Sequence, residues 1–123
     1  MSKQGILIAL AGFLGFTGVA LGAFGAHRLS DTLSPEMLEV YKTGILYHLI
    51  HSVVILAIAL IGKEKFFKAG YIMIMGIVLF SGSLYIYAQS EVTVFAMITP
   101  IGGVLFLVGW ALIIYEGIRL KKD

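Results

Sequence analysis

Cysteine is absent from this 123-residue chain, proline occurs twice, tryptophan once, and charged residues make up only 13% of it. The missing thiol excludes disulfides, thiolate nucleophiles, Cys-ligated zinc and iron–sulfur clusters. The shortage of charge excludes more. A soluble domain carries roughly 25% charged residues. Nine Lys and Arg against seven Asp and Glu leave a surplus too small and too scattered for a nucleic-acid footprint, so no nucleic-acid partner is expected. Apolar residues are in excess instead, at 59%, with a mean hydropathy of +0.99. A chain this short has too much surface to hide them in a water-facing fold. Lipid is therefore the expected solvent, and the chain reads as an integral membrane protein of a single domain, 1–123.

The charges fall in clumps, and the gaps between them have the length of a membrane crossing. Residues 5–26, 43–62, 69–90 and 92–115 contain no Lys, Arg, Asp or Glu, and Glu91 separates the last two. About 20 helical residues cross a hydrocarbon core about 30 Å thick. Runs such as Val53-Val54-Ile55-Leu56 do not alternate as barrel strands do. The expectation is all-α: an antiparallel bundle of four transmembrane helices joined by short links. Ser34-Pro35-Glu36 reads as a helix start, with Ser34 capping and Pro35 at the first helical position. A short amphipathic segment is thus expected at the interface before helix 2, running into it. Seven Lys and Arg lie on the side of the N-terminus, the 63–68 link and the C-terminus, and two (Arg28, Lys42) on the other. The positive-inside rule places both termini in the cytoplasm of a multi-pass cell-membrane protein. The first apolar run exceeds a signal-peptide core of about 7–15 residues, so it is expected to stay in the chain.

Ala11, Gly15, Gly18, Gly22 and Gly25 recur at spacings of 4, 3, 4 and 3 along one face of helix 1, and Ala26 extends the four-residue step from Gly22. Small residues let a second backbone approach closely in lipid. Intramolecular packing, a homo-oligomer seam and a close-fitting lipid or ligand all suit such a stripe. Gly102 and Gly103, directly after Pro100, suggest a kink or a close contact in helix 4.

The topology also gathers polar side chains towards one end. Helix 1 ends at His27. His48 and His51 come roughly 8 to 12 Å below the outer end of helix 2 at about 1.5 Å per residue, and Ser81, Ser83, Tyr85 and Thr99 fall in the outer halves of helices 3 and 4. Imidazoles three residues apart on one helix face could join a buried hydrogen-bond network. They could also ligate copper, zinc or haem iron with His27, or serve a proton, lipid or small-molecule site. No conventional metal motif is present, and no cofactor is expected.

Gly22-Ala23-Phe24-Gly25-Ala26-His27, Phe80-Ser81-Gly82-Ser83-Leu84-Tyr85 and Ile98-Thr99-Pro100-Ile101-Gly102-Gly103, followed by Phe106 and Gly109-Trp110, resemble the signatures of the YwdK/YgdD-like family. That resemblance implies a small bacterial inner-membrane protein and brings no activity with it. The family's helix 2 pattern, Tyr-Gln-x-Tyr-His, falls on Tyr47, His48, Leu49, Ile50 and His51, so His48 and Ile50 depart from it. His27 and His51 thereby become the better pair for any ligand.

With no carboxylate inside the spans to complete an acid–base set for Ser81 or Ser83, an enzyme is not expected. The leading expectation is a non-enzymatic protein that assists membrane-protein assembly or envelope homeostasis, with membrane lipids and a membrane-protein partner or a second copy as its company. The alternatives are a binding or transport module for a small hydrophobic molecule, proton or ion, and haem or copper binding by His27 and His51.

Overall fold

The computed structural model describes residues 1–122 and is all-helical over them. Helix α1 spans Lys3–His27 and α2 spans Pro35–Ile61. The third crossing is one rod built of α3 (Phe67–Gly76), a π-turn (Ile77–Ser81) and α4 (Gly82–Ser90), and α5 spans Thr93–Ile118. All four crossings are long and apolar enough to span a membrane.

The ends of these helices follow from local chemistry. Ser2 Oγ accepts from the Gly5 amide at 2.9 Å, and Ser34 Oγ accepts from the Met37 amide at 3.2 Å with Pro35 opening α2. Gly62 stops α2 in the left-handed region at φ 77°, where a side chain would be strained. Beside it Gln4 Nε2 donates to the Ala59 carbonyl at 2.9 Å, tying the start of α1 to the end of α2. Glu91 turns the chain at φ 56° between α4 and α5.

Two boundaries differ from the sequence reading. The amphipathic segment does run into helix 2, but as its first turns, so the 27-residue α2 begins at Pro35 and not near residue 43. Glu36, Glu39 and Lys42 do not interrupt a helix whose Met37 and Tyr41 are buried on the other face. The third crossing is also not a plain α-helix, because the π-turn inserts at Ile77–Ser81.

The four helices are not equivalent. In the described residues α1 lies against α2, α2 lies against the third crossing, and α5 lies against the third crossing; no comparable backbone seam joins α2 to α5. The main core, with Leu7, Ile55, Ala59, Met73 and Ile77 at its heart, sits where the first three meet.

Glycines set the approach at the seams. A Cβ on Gly18 would fall 2.6 Å from Leu49 and 3.2 Å from His48, and one on Gly25 would run into the Tyr41 ring. On the other side of α2, a Cβ on Gly44 would lie 2.7 Å from Tyr85. Along α5, Gly102 rests on the Phe80 backbone in the π-turn, and a Cβ on Gly109 would lie 2.7 Å from Met73.

The expected stripe on α1 is thus partly corrected. Ala11, Gly18 and Gly25 are buried, and Gly22 makes ordinary contact with Ile45. Gly15 has nothing within 4 Å of its Cβ position, and Ala26 is exposed. The cause is angular: a helix repeats every 3.6 residues, so a 4-3-4-3 stripe is wider than one contact line. Gly103 likewise only brushes the Phe80 ring at 3.8 Å.

Candidate functional site

His48 and His51 stand one turn apart on α2, both buried, and every nitrogen of each is occupied. Thr17 Oγ1 donates to the Leu14 carbonyl at 3.0 Å, so it meets His48 Nε2, 3.3 Å away, as an acceptor. The proton of His48 therefore sits on Nε2, and Nδ1 accepts from the Tyr85 hydroxyl at 2.8 Å. That one imidazole joins α1, α2 and α4. Tyr85 packs on Tyr41 with ring centroids 5.2 Å apart, and the Tyr41 hydroxyl donates to the Leu21 carbonyl of α1.

His51 takes the opposite tautomer. Indole nitrogen can only donate, so Trp110 Nε1, 3.2 Å away, meets a bare Nε2. The remaining Nδ1–H donates to the Tyr47 carbonyl at 2.8 Å, one turn back on α2. The ring lies flat on Phe106, with centroids 3.7 Å apart and planes 10° from parallel.

The hydroxyls of the third crossing form separate links. Ser81 Oγ donates to the Gly44 carbonyl at 2.7 Å, bonding the π-turn to α2. Ser83 Oγ and Thr99 Oγ1 lie 2.6 Å apart, joining α4 to α5. Among the described residues, no buried side-chain nitrogen or oxygen is left without a partner. This is what a solvent without hydrogen bonds demands of polar groups.

His27 stays apart from this network. It is exposed at the end of α1, beside a surface hollow with Arg28 and Asp31. The seam sets Gly25 by Tyr41 and Gly18 by His48. His27 is therefore level with about residue 39 of α2, and His51 lies about 12 residues, roughly 18 Å, further along the axis. One haem iron or copper cannot be shared across that gap, so His27 and His51 do not form the expected pair for a common ligand. Among the described residues no group of three or more His, Asp or Glu is placed to hold a metal.

Where α2 and α5 fail to close on each other, a lateral groove of about 450 Å³ remains. Tyr47 and His51 form one wall, Phe80 the floor, and Pro100, Gly103, Phe106, Leu107 and Trp110 the other wall. Tyr47 meets Phe80 at 4.7 Å and Phe106 at 6.1 Å between centroids, so rings from three crossings meet here. The sequence reading passed over Thr17 and did not assign Tyr47, Phe80, Phe106 and Trp110 to a site. A signal existed: Tyr47 and His51 are four apart, as are Phe106 and Trp110, which sets two aromatic pairs on two helix faces.

Comparison with known proteins fits this architecture. Residues 21–103 match the family model described as "Protein of unknown function (DUF423)". The chain is 42% identical over 120 residues to the UPF0382 inner membrane protein YgdD of Escherichia coli (strain K12), covering 94% of this chain and 92% of that protein. It is 39% identical over 119 residues to the UPF0382 membrane protein YwdK of Bacillus subtilis (strain 168), with 93% and 97% covered. A UPF0382 membrane protein of Haemophilus influenzae is 43% identical over 124 residues, with 98% of each chain covered. No solved structure matches. With four apolar crossings and relatives named as membrane proteins along nearly its whole length, the chain belongs to the DUF423 family of integral membrane proteins.

Proposed function

We propose that this protein is a non-enzymatic membrane module that helps another membrane protein assemble, seating one of its transmembrane helices in the groove between α2 and α5. The supporting observation is how the polar atoms are spent. His48, His51, Ser81, Ser83, Tyr85 and Thr99 bond to one another, to Thr17 and Trp110, or to backbone, so none is free to act as base or nucleophile. What the groove offers is shape and apolar surface. Pro100, Gly103, Val104 and Leu107 follow one another at 3, 1 and 3 residues, the spacing of a helix-packing ridge. Val104 and Leu107 are exposed, and Gly103 leaves room for a second backbone. The basic end of the bundle faces the cytoplasm in this reading, with both termini.

A photoreactive residue at Leu107 in native membranes tests the assignment, with Phe13 on the exposed face of α1 as the reference position. The expected result is one discrete protein adduct from Leu107 and none from Phe13, lost when Gly103→Leu fills the groove. Lipid adducts alone, or equal labelling at both positions, would remove the partner-helix reading. An adduct of the chain with itself would replace the partner by a second copy.

The ring of Tyr47, Phe80, Phe106 and Trp110 supports a second occupant, a small hydrophobic molecule with a flat or conjugated body. A UV-visible spectrum and organic-extract mass spectrum of protein purified in mild detergent separate the two. A stoichiometric small molecule released from the wild type and absent from Gly103→Leu would favour this occupant.

A further inference from the structure

We infer that the basic end of the bundle carries a binding site for the phosphate of an anionic phospholipid headgroup, between the α2–α3 connection and the end of α5. A hollow of about 590 Å³ lies there, and Lys63, Lys65, Arg119 and Lys121 line it with a single carboxylate, Glu116.

Lys63, Lys65 and Arg119 sit at the ends of regular elements. Gly62 ends α2 in the left-handed region, a 3-10 turn of Glu64–Phe66 follows, and buried Phe67 anchors the connection in the core. Lys63 and Lys65 flank Glu64, but that carboxylate is engaged by Lys3, 3.9 Å away. Neither Lys63 nor Lys65 has an acidic partner within salt-bridge distance among the described residues. Arg119 is steadied from its own helix: its guanidinium donates to the Tyr115 hydroxyl at 2.8 Å and lies 5.1 Å from the centre of that ring. Two separate elements thus bring unpaired positive charge to one hollow.

The level of the hollow selects a lipid as the source of the phosphate. It opens at the end of the apolar crossings, where Ile61 and Ile118 are exposed, so acyl chains lie below the charges. Basic hollows between crossings at this level suit anionic headgroups. Four cations against one carboxylate favour a net negative headgroup over a zwitterion.

Native mass spectrometry of the whole protein, titrated with phosphatidylglycerol, phosphatidylethanolamine and phosphatidylcholine of matched chains, reads the site directly. Phosphatidylglycerol is expected to bind most tightly. Each cation is expected to contribute about fivefold, so Lys65→Gln weakens binding by about that factor and Lys63→Gln/Lys65→Gln/Arg119→Gln by about a hundredfold. Arg28→Gln/Lys42→Gln, which removes charge at the opposite end, is expected to change nothing. These side chains are exposed, and melting curves check that each variant folds. Equal losses from both ends would reduce the site to diffuse charge and overturn it. So would an absence of preference for phosphatidylglycerol over phosphatidylcholine. Preferential binding of phosphatidylethanolamine, lost in Glu116→Gln, would replace the anionic headgroup by a zwitterion. Saturation by inorganic phosphate without lipid binding would make the site one for the free ion.

Discussion

Two kinds of contact hold this bundle, and the two histidines of α2 sit one in each. Around His48 glycine faces close on the neighbouring helices' side chains: a Cβ on Gly18 would run into Leu49 and one on Gly44 into Tyr85, and Thr17 and Tyr85 reach the imidazole from adjoining helices. Around His51 there is no such seam. Trp110 and Phe106 of α5 instead cross a gap to reach α2, and a groove stays open beside them. Both imidazoles are neutral by their hydrogen bonds, and both are buried. The difference lies in what surrounds them. Small residues close a seam by van der Waals contact over a long line. Aromatic rings tether two helices at points and leave space between those points.

If seams carry the stability, the largest loss comes from the place where backbone meets backbone. Gly102→Ala forces a Cβ against the Phe80 main chain, which cannot swing aside as a side chain would. Overpacking typically costs about 1 to 3 kcal/mol, and this contact falls at or above the upper end because no rotamer relieves it. The expected readout is a collapse of the folded fraction in detergent after mild heating, and of abundance in membranes. An unchanged melting curve would mean that α5 can slide on the π-turn, and the distinction between seam and gap would lose its basis.

Next comes the imidazole inside the seam. His48→Ala leaves the Tyr85 hydroxyl without its acceptor and opens a cavity among three helices, at a cost of about 2 to 3 kcal/mol. His51→Ala loses a stacked ring and two hydrogen bonds beside the groove, where lipid can move in. Its cost is expected to be smaller than that of His48→Ala in chemical or thermal unfolding of the two purified variants. The reverse order would make the α2–α5 tether the principal support of the bundle.

Much of this architecture is legible in the sequence. Lipid rejects charge, so the gaps between charged residues located four crossings. Their ends were less readable because Glu36, Glu39 and Lys42 mark where polarity begins, whereas helix α2 begins where Ser34 caps it. The π-turn left no trace: one inserted residue in Ile77–Ser81 alters the phase of a helix without altering its composition. The histidines were visible as an unusual pair, but not their partners. His51 takes a backbone carbonyl and an indole 59 residues away, and no spacing rule reports a contact between separate helices. Gly76 and Gly109 pack tightly without forming a stripe, so composition gave them no emphasis.

The tether itself can be cut with less damage. Trp110→Phe keeps a ring in the groove wall and removes only the donor to His51 Nε2, for about 1 to 2 kcal/mol. Nitrogen NMR of labelled histidine reads the consequence at the ring. His48 is expected to keep its Nε2–H signal unshifted, while the bare Nε2 of His51 loses its hydrogen-bonded shift. Movement of both signals would show that the two regions are coupled through α2.

The smallest effect separates a stripe from a seam within one helix. Gly15 and Gly18 are three residues apart and look interchangeable in the sequence, yet a Cβ on Gly15 meets nothing within 4 Å and one on Gly18 meets Leu49 at 2.6 Å. Gly15→Ala is therefore expected to stay within about 0.5 kcal/mol of the wild type, as surface substitutions do. Gly18→Leu, three residues on, must displace both Leu49 and the His48 ring. Equal damage from the two, in the same unfolding measurement, would place a second helix on the Gly15 face. The chain would then pack there against a copy of itself, and the open side of α1 would be an interface.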